Sequence, residues 1–326
     1  MKMKDKDQYF IQTIFRTETN QPKIKKVDID DVVYVAAGHY VMAAIKKDGS
    51  LWTWGYNAYG ALGNGINFAM PDEEFPVDST PYKILDNVES VSLGESWGMA
   101  IKKDETLWVW GQNIGGVLCN GEFIGGHSCE PAKIMDDVAA AAAGGKHGLA
   151  LKKDGSVWVW GSNEHGQLGN DDDSVEFSVN PIKVMDGAVQ ISAGYLHSAV
   201  LKKDGTLWFW GKIGRRATKP ILLDLREDED DPNSGPDISK IACGDNVILF
   251  LTKSHELYKW SDDLELADFH VMDSVAQVSM FSEHLLLIDK DGSVWAYGSN
   301  KYSQLGDGTV EKSDTPVLIY KNEGTG

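Results

Sequence analysis

Short stretches of alternating apolar and polar residues run along the whole chain, and one arrangement of them recurs at intervals that average just under fifty residues. Each copy has an apolar run, a polar segment that reads Lys-Lys-Asp-Gly or a variant of it, and a stretch with aromatic residues two apart. The third positions of the polar segments are Asp48, Asp104, Asp154, Asp204, Ser254 and Asp291. Period-two alternation predicts β-strands, and Asp-Gly between two strands is typical of a two-residue type I′ hairpin.

The aromatic stretches predict how these strands pack. Their paired residues are Trp52 and Trp54, Trp108 and Trp110, Trp158 and Trp160, Trp208 and Trp210, Tyr258 and Trp260, and Trp295 and Tyr297. Residues two apart share one face of a strand, and the residue between them is mostly apolar too. Sheets that are apolar on both faces need a neighbour on each side, which a ring of radially stacked sheets supplies. We therefore predict an all-β fold, a β-propeller of four-stranded antiparallel blades, and no helical solenoid.

A proline-led stretch, predicted to be the fourth strand, begins each following unit. These stretches start at Pro22, Pro81, Pro131, Pro181, Pro220 and Pro316, and Asp268 takes this place before the sixth copy. The six copies of the repeat predict six blades, with seven as the alternative. They also predict a single propeller domain over residues 22–326. These seven stretches are one more than six blades need. Residues 1–21 are therefore predicted to be an N-terminal segment, and Tyr9–Phe15 within it is a candidate ring-closing strand.

The repeat resembles a known family. The third copy, from Ala143 to Gly169, reads Ala-Gly, then His, Asp-Gly, Trp-x-Trp-Gly-x-Asn and Gly-Gln-Leu-Gly at the spacing of the regulator of chromosome condensation repeat. The resemblance covers residues 22–320. It implies a β-propeller, often seven-bladed, and allows guanine-nucleotide exchange on a small GTPase. The fourth and fifth copies depart from the pattern: Lys212–Asp237 replaces the Gly-Gln-Leu-Gly loop, and no glycine follows Trp260.

Charge narrows the class of partner. The 326 residues include 31 Lys and Arg against 49 Asp and Glu, a net charge of −18. Such a charge repels phosphate backbones, so we expect no nucleic acid and a protein partner with a basic surface. The acidic runs Asp171–Asp173 and Glu227–Asp231 are interpreted as solvated loops.

The expected location is the cytoplasm. Met1–Phe10 has no apolar segment of a secretory signal, although an extracellular location would follow if a signal had been removed. No apolar run reaches the 18–20 or so residues of a membrane helix, so no membrane association is expected. The three cysteines, Cys119, Cys129 and Cys243, are too few for a disulfide framework, and Cys243 is predicted to be a small packed residue.

Strand direction predicts two different ends for each blade. The Asp-Gly hairpins lie at one end with nearly the same sequence in each copy, whereas the loops at the other end differ. A partner-specific surface needs such non-repeating chemistry, and Tyr is a contact residue of low entropy cost. The candidate partner-binding residues are His39, Tyr40, Tyr56, Tyr59, Glu95, Trp97, Glu164, His165, Tyr195 and Tyr302.

The sequence offers no catalytic constellation, cofactor motif or metal-ligand spacing. His147, His197 and His284 share one slot of the repeat, and a structural hydrogen bond to a neighbouring loop is the preferred interpretation. Trp97 takes the same slot, so filling it is the alternative to partner contact. We predict a monomeric, non-enzymatic module that binds another protein. The alternatives are a guanine-nucleotide exchange factor and an enzyme-inhibitory propeller.

Overall fold

The computed structural model describes residues 12–15, 23–39, 41–66, 77–121, 126–225, 235–261, 270–301 and 303–322. Within these residues the chain forms 26 strands and no helix. Each run of four strands below is one antiparallel sheet, or blade, with its strands in chain order. Blade 1 has β3 (Val32–Ala37), β4 (Val41–Lys46), β5 (Leu51–Tyr56) and β6 (Val77–Leu85). Blade 2 has β7 (Val88–Leu93), β8 (Trp97–Lys102), β9 (Leu107–Gln112) and β10 (His127–Met135).

The remaining four blades repeat this order. Blade 3 has β11 (Val138–Ala143), β12 (His147–Lys152), β13 (Val157–Ser162) and β14 (Phe177–Met185). Blade 4 has β15 (Ala188–Ala193), β16 (His197–Lys202), β17 (Leu207–Ile213) and β18 (Arg215–Leu223). Blade 5 has β19 (Ile238–Cys243), β20 (Ile248–Thr252), β21 (Leu257–Trp260) and β22 (His270–Met272). Blade 6 has β23 (Val275–Phe281), β24 (His284–Asp289), β25 (Val294–Gly298) and β26 (Ser313–Tyr320).

Six blades of this kind make the fold a β-propeller, which confirms the predicted fold class and the lower of the two blade counts. The chain divides into two compact units. The first, Met1–Ser162 with Val175–Val184, holds blades 1–3, and the second, Asn163–Ser174 with Met185–Gly326, holds blades 4–6.

The proline-containing strands end the blades and do not begin them, which corrects the predicted unit boundaries. Pro131, for example, lies inside β10, which pairs with β9 of the same blade, and the register shifts between Ser128 and Ala132. Proline lacks an N–H and so suits an outer strand with a bulge. Pro22 precedes β2 (Lys23–Lys26), which pairs only with β1 (Gln12–Phe15) among the described residues. The surplus proline-led strand therefore belongs to a separate two-stranded sheet.

The Asp-Gly hairpins differ from the predicted type I′ turn. Gly155 N donates to Lys152 O at 3.0 Å and Lys152 N donates to Ser156 O at 2.9 Å, so three residues form the loop. Only its last residue, Gly155, has a positive φ, of 84°. This is a type I turn followed by a left-handed residue. The reason lies in Asp154, whose carboxylate accepts hydrogen bonds from the Ser156 N–H and hydroxyl and so fixes the preceding turn.

The second aromatic residue of each regular pair is core. Trp54, Trp110, Trp160 and Trp210 are fully buried. Within the first unit the indole N–H of Trp160 donates to Val117 O of the preceding blade's loop at 2.9 Å, and Trp110 donates to Ala61 O at 3.1 Å. The tryptophans thus tie one blade to the loop before it, as a buried indole N–H requires a partner.

Candidate protein-binding loops

Each blade has two ends of different construction. We call one the turn end: it carries the hairpins between the second and third strands, such as residues 102–106 and 152–156. We call the other the loop end: it carries the inner loops between the first and second strands, such as residues 94–96 and 194–196, and the outer loops between the third and fourth strands, such as residues 163–174. The antiparallel registers place these connections at opposite ends of each blade.

The turn end is built from one repeated side-chain relay. In blade 3 the indole N–H of Trp158 donates to Ser156 Oγ at 2.9 Å, and the Ser156 hydroxyl donates to Asp154 Oδ1 at 2.6 Å. Lys152 Nζ lies 5.6 Å from the Trp158 ring centroid, within cation–π range. Blades 1, 2 and 4 repeat the relay with Asp48–Ser50–Trp52, Asp104–Thr106–Trp108 and Asp204–Thr206–Trp208.

These hydrogen bonds also hold the turn carboxylates in the ionised form. The Ser156 hydroxyl, followed by its backbone N–H, lowers the pKa of Asp154. The hydroxyls of Ser50 and Thr206 lower the pKa values of Asp48 and Asp204 in the same way. The Lys-Lys-Asp-Gly-Ser/Thr-x-Trp pattern is therefore a structural device, which explains why the turn end is nearly the same in four blades.

A buried asparagine fixes the outer loop in each of blades 1, 2, 3 and 6. In blade 3, Leu168 N donates to Asn163 Oδ1 at 3.0 Å and Asn163 Nδ2 donates to Asn170 Oδ1 at 3.2 Å. Corresponding bonds bind Leu62 to Asn57, Leu118 to Asn113 and Leu305 to Asn300. A buried side chain thus fixes the loop backbone while the residues beside it remain free to vary.

The inner loops are fixed by the residue in the histidine slot. In blade 2 this residue is Trp97, whose indole N–H donates to Gly145 O at 3.1 Å and Gly144 O at 3.3 Å in the next blade's inner loop. His147 and His197 are also fully buried. Burial lowers the pKa of His284, while the carboxylate of Asp245 opposes that shift. The slot therefore serves packing between loops. Trp97, only 1% exposed, lies in the core and offers no contact surface to a partner.

In the first unit the other candidates lie at the loop end. His39 is exposed and its backbone N–H donates to Gly94 O at 3.3 Å. Tyr56 ends β5 and is half-buried, as is Glu95 in the inner loop of blade 2. Tyr59 has a φ of 55°, and its ring centroid lies 6.5 Å from that of His127 at the start of β10.

In the second unit the outer loop 163–174 carries Glu164, which is exposed, and His165, which is half-buried. The His165 N–H donates to Gln167 Oε1 at 2.8 Å. Tyr195 is half-buried in the inner loop of blade 4. Tyr40 and Tyr302 lie outside the described residues.

The sequence prediction missed a basic hairpin at the loop end of blade 4. Lys212 and Arg216 are cross-strand partners in β17 and β18, and Arg215 and Lys219 lie beside them; all four are exposed. The signal was the absence of the Gly-Gln-Leu-Gly loop, which lets the third strand continue directly into the fourth.

Among the described residues, thiol and metal chemistry find little support. Burial raises the pKa values of Cys119 and Cys243 to about 12, and Cys243 packs in the core as predicted. Among the described side chains, no group of three or more His, Cys, Asp and Glu residues is placed to hold a metal ion. The same part of the chain contains no helix with the length and apolar character required to cross a bilayer.

Curated relatives share only part of the chain. The human probable E3 ubiquitin-protein ligase HERC6 is 32% identical over 100 residues, which is 29% of this chain and 9% of the ligase. Human E3 ubiquitin-protein ligase HERC2 is 33% identical over 91 residues, 28% of this chain and 2% of the ligase. The chain therefore spans less than a tenth of the length of either relative.

Solved structures match the fold over nearly the whole chain. Prp20p from Saccharomyces cerevisiae, the yeast RCC1, has a TM-score of 0.75 at 21% identity, with 94% of this chain and 81% of that chain covered. Human WBSCR16 has a TM-score of 0.59 at 18% identity, with 92% and 71% covered. At these identities the likeness shows the fold.

The repeat itself is recognised by family models. A model of the regulator of chromosome condensation (RCC1) repeat matches residues 48–101, 154–201 and 291–325. A second model of the same repeat matches residues 32–61 and 138–167, so the two together match half of the chain. With the blade order and the Asp–Ser/Thr–Trp relay of the matched segments, these findings show that the chain belongs to the regulator of chromosome condensation repeat family.

Proposed function

We propose that this chain is a protein-binding module that holds a protein partner on the loop end of its blades and acts without catalysis. The observation that carries the proposal is the contrast between the two ends. The turn end repeats one relay of Asp, Ser or Thr, and Trp in blades 1–4, whereas the outer loops of blades 1, 2, 3 and 6 share a buried asparagine but differ in their outward side chains.

The construction of the loop end suits recognition. Asn163 and its counterparts fix the loop backbones, so a partner would meet surfaces that are already ordered, which reduces the entropy cost of binding. Tyr59 and Tyr195 present aromatic rings that are partly exposed, and tyrosine supplies contact area with few rotatable bonds. Glu95 and Glu164 add negative charge beside them.

The comparisons support a protein as the partner. The yeast structures describe Prp20p bound to Kap60 and its binding properties to Gsp1p and histones. Histones are basic proteins, and the net charge of −18 here favours a partner with a basic surface by the same electrostatics. We propose such a partner for the acidic loop residues.

The experiment begins with capture of a partner on the immobilised chain and its identification by mass spectrometry. Its affinity is then measured for Tyr59→Ala/Glu95→Ala in the first unit and Glu164→Ala/Tyr195→Ala in the second. At least one pair is expected to weaken binding about tenfold, since interface tyrosines commonly contribute more than 1 kcal/mol or so.

The matched control is a turn-end variant with Lys47, Lys103, Lys153 and Lys203 changed to Ala, which is expected to bind like the unaltered chain. Binding that survives both loop-end pairs but is lost in the lysine variant would place the partner on the turn end and overturn the proposal. A nucleotide-release assay on a panel of small GTPases tests exchange activity, which the family resemblance allows, and acceleration there would make exchange the function.

A further inference from the structure

The basic hairpin of blade 4 concentrates positive charge at one place. β17 and β18 meet at Gly214, and the register places Lys212 directly opposite Arg216. Like charges that face each other across strands destabilise a sheet. Arg215 and Lys219 are exposed on the same hairpin. Four cations within eight residues stand out in a chain with a net charge of −18.

An acidic segment of the same unit already sits on this hairpin. Arg216 Nη2 lies 2.9 Å from Asp173 Oδ1, and Lys219 Nζ lies 3.3 Å from Asp171 Oδ2. The backbone N–H of Asp171 donates to Thr218 O at 2.8 Å. This segment, Asp171–Asp173, was interpreted from sequence as merely solvated. Its side chains are exposed, yet two of its carboxylates and one main-chain N–H contact the hairpin.

The contact is weak. Asp171 has a φ of 55°, a left-handed conformation that is unfavourable for residues other than glycine, although Asp tolerates it better than most. Both ion pairs are exposed, with side-chain exposures between 38% and 68%, and such pairs contribute little to stability. A weak contact can be exchanged for a better one.

We infer that the hairpin surface formed by Lys212, Arg216 and Lys219 is a docking site for an acidic peptide segment of a protein partner, and that Asp171–Asp173 occupies it as an internal competitor. The inference rests on the proposed function only in assigning the ligand to a protein partner. Tyr195 belongs to the neighbouring inner loop. In that loop Leu196 O accepts a hydrogen bond from Lys212 N at 2.9 Å, so the aromatic residue Tyr195 lies beside the basic hairpin.

A peptide fits this surface better than a nucleic acid does. The resident segment uses a main-chain N–H to reach Thr218 O, and a phosphate backbone has no such donor. The net charge of −18 also opposes the approach of a polyanion. A short acidic peptide carries fewer charges and can reproduce both the ion pairs and the main-chain bond.

The test measures binding of a fluorescein-labelled peptide that copies residues 169–176 (GNDDDSVE) by fluorescence anisotropy in low salt. Asp171→Asn/Asp173→Asn removes both ion pairs of the resident segment and is expected to bind the peptide about tenfold more tightly than the unaltered chain, as loss of two exposed ion pairs allows. Adding Arg216→Gln/Lys219→Gln to that variant is expected to reverse the gain.

The matched control is Asp237→Asn/Asp314→Asn, which makes the same charge change at two other exposed ion pairs of the same unit. It is expected to bind no better than the unaltered chain. A gain equal to that of the Asp171 and Asp173 variant, or a gain that persists without Arg216 and Lys219, would overturn the site. Equal binding of an oligothymidylate of the same charge would overturn its assignment to peptides. None of these outcomes bears on the loop-end variants, so the two proposals can fail separately.

Discussion

At the scale of single residues, the turns that connect successive blades show how backbone conformation selects sequence. The residue before the next blade's first strand is Asn87, Asp137, Gly187 or Ser274, and all four have a positive φ between 58° and 79°. Small polar residues and glycine are the types that tolerate this conformation. No shared letter marks the position, so the sequence pattern alone did not reveal it.

Two substitutions at Gly187 are expected to differ in their effect on the free energy of unfolding. Gly187→Asn is expected to change the free energy of unfolding by less than about 0.5 kcal/mol, whereas Gly187→Val is expected to lose about 1–2 kcal/mol because a β-branched residue is strained at positive φ. A Cβ there would meet only Lys202 Cε at 3.5 Å, an ordinary contact. Urea denaturation measures both variants, and equal losses would show that contacts and not backbone strain decide.

The turn carboxylates give a prediction in pH. Folding lowers the pKa values of Asp48, Asp104, Asp154 and Asp204. Their stabilisation is therefore present above the unfolded pKa of about 3.9 and is lost as pH falls through the lower folded values. Changing all four to Asn is expected to lower Tm at pH 7 and to leave it close to that of the unaltered chain near pH 2. A Tm difference that stays constant with pH would show that charge plays no part.

At the scale of elements, the sequence predicted the strands well. Period-two alternation and paired aromatic residues are local features that span only a few residues. The sequence prediction erred on the turn type and on the unit boundary. The hairpin is a three-residue loop because the Asp154 carboxylate accepts hydrogen bonds from Ser156, a contact that the Asp-Gly pair alone does not indicate. The proline-containing strand closes the preceding blade because it pairs with the aromatic strand before it, and the spacing of the repeat does not show that pairing.

The second strands of the blades differ in one respect that burial makes testable. Leu149, third in β12, is 0% exposed, whereas Leu286, third in β24, is 45% exposed. Leu149→Ala is expected to cost about 2–5 kcal/mol through lost burial and a cavity. Leu286→Ala is expected to cost less than about 1 kcal/mol, since half of its surface already meets water. Chemical denaturation compares them, and similar costs would show that the Leu286 face is covered.

At the scale of the whole molecule, the repeat was sufficient to predict the propeller and the two unlike ends of its blades. The candidate binding residues other than Trp97 stay predictions. Trp97 proved to be core because its indole bonds the next blade's inner loop, and the basic hairpin was overlooked because it arises from a missing loop. Which exposed side chains bind depends on the partner's surface, which this sequence does not encode.

Hydrogen–deuterium exchange of the chain with and without its captured partner tests the central claim most directly, because it reports protection along the backbone without any substitution. Slower exchange is predicted at the loop end, within residues 94–96, 163–174 or 194–196, with the hairpins at 102–106, 152–156 and 202–206 unchanged. Protection confined to those hairpins, with the loops exchanging as in the free chain, would contradict the account.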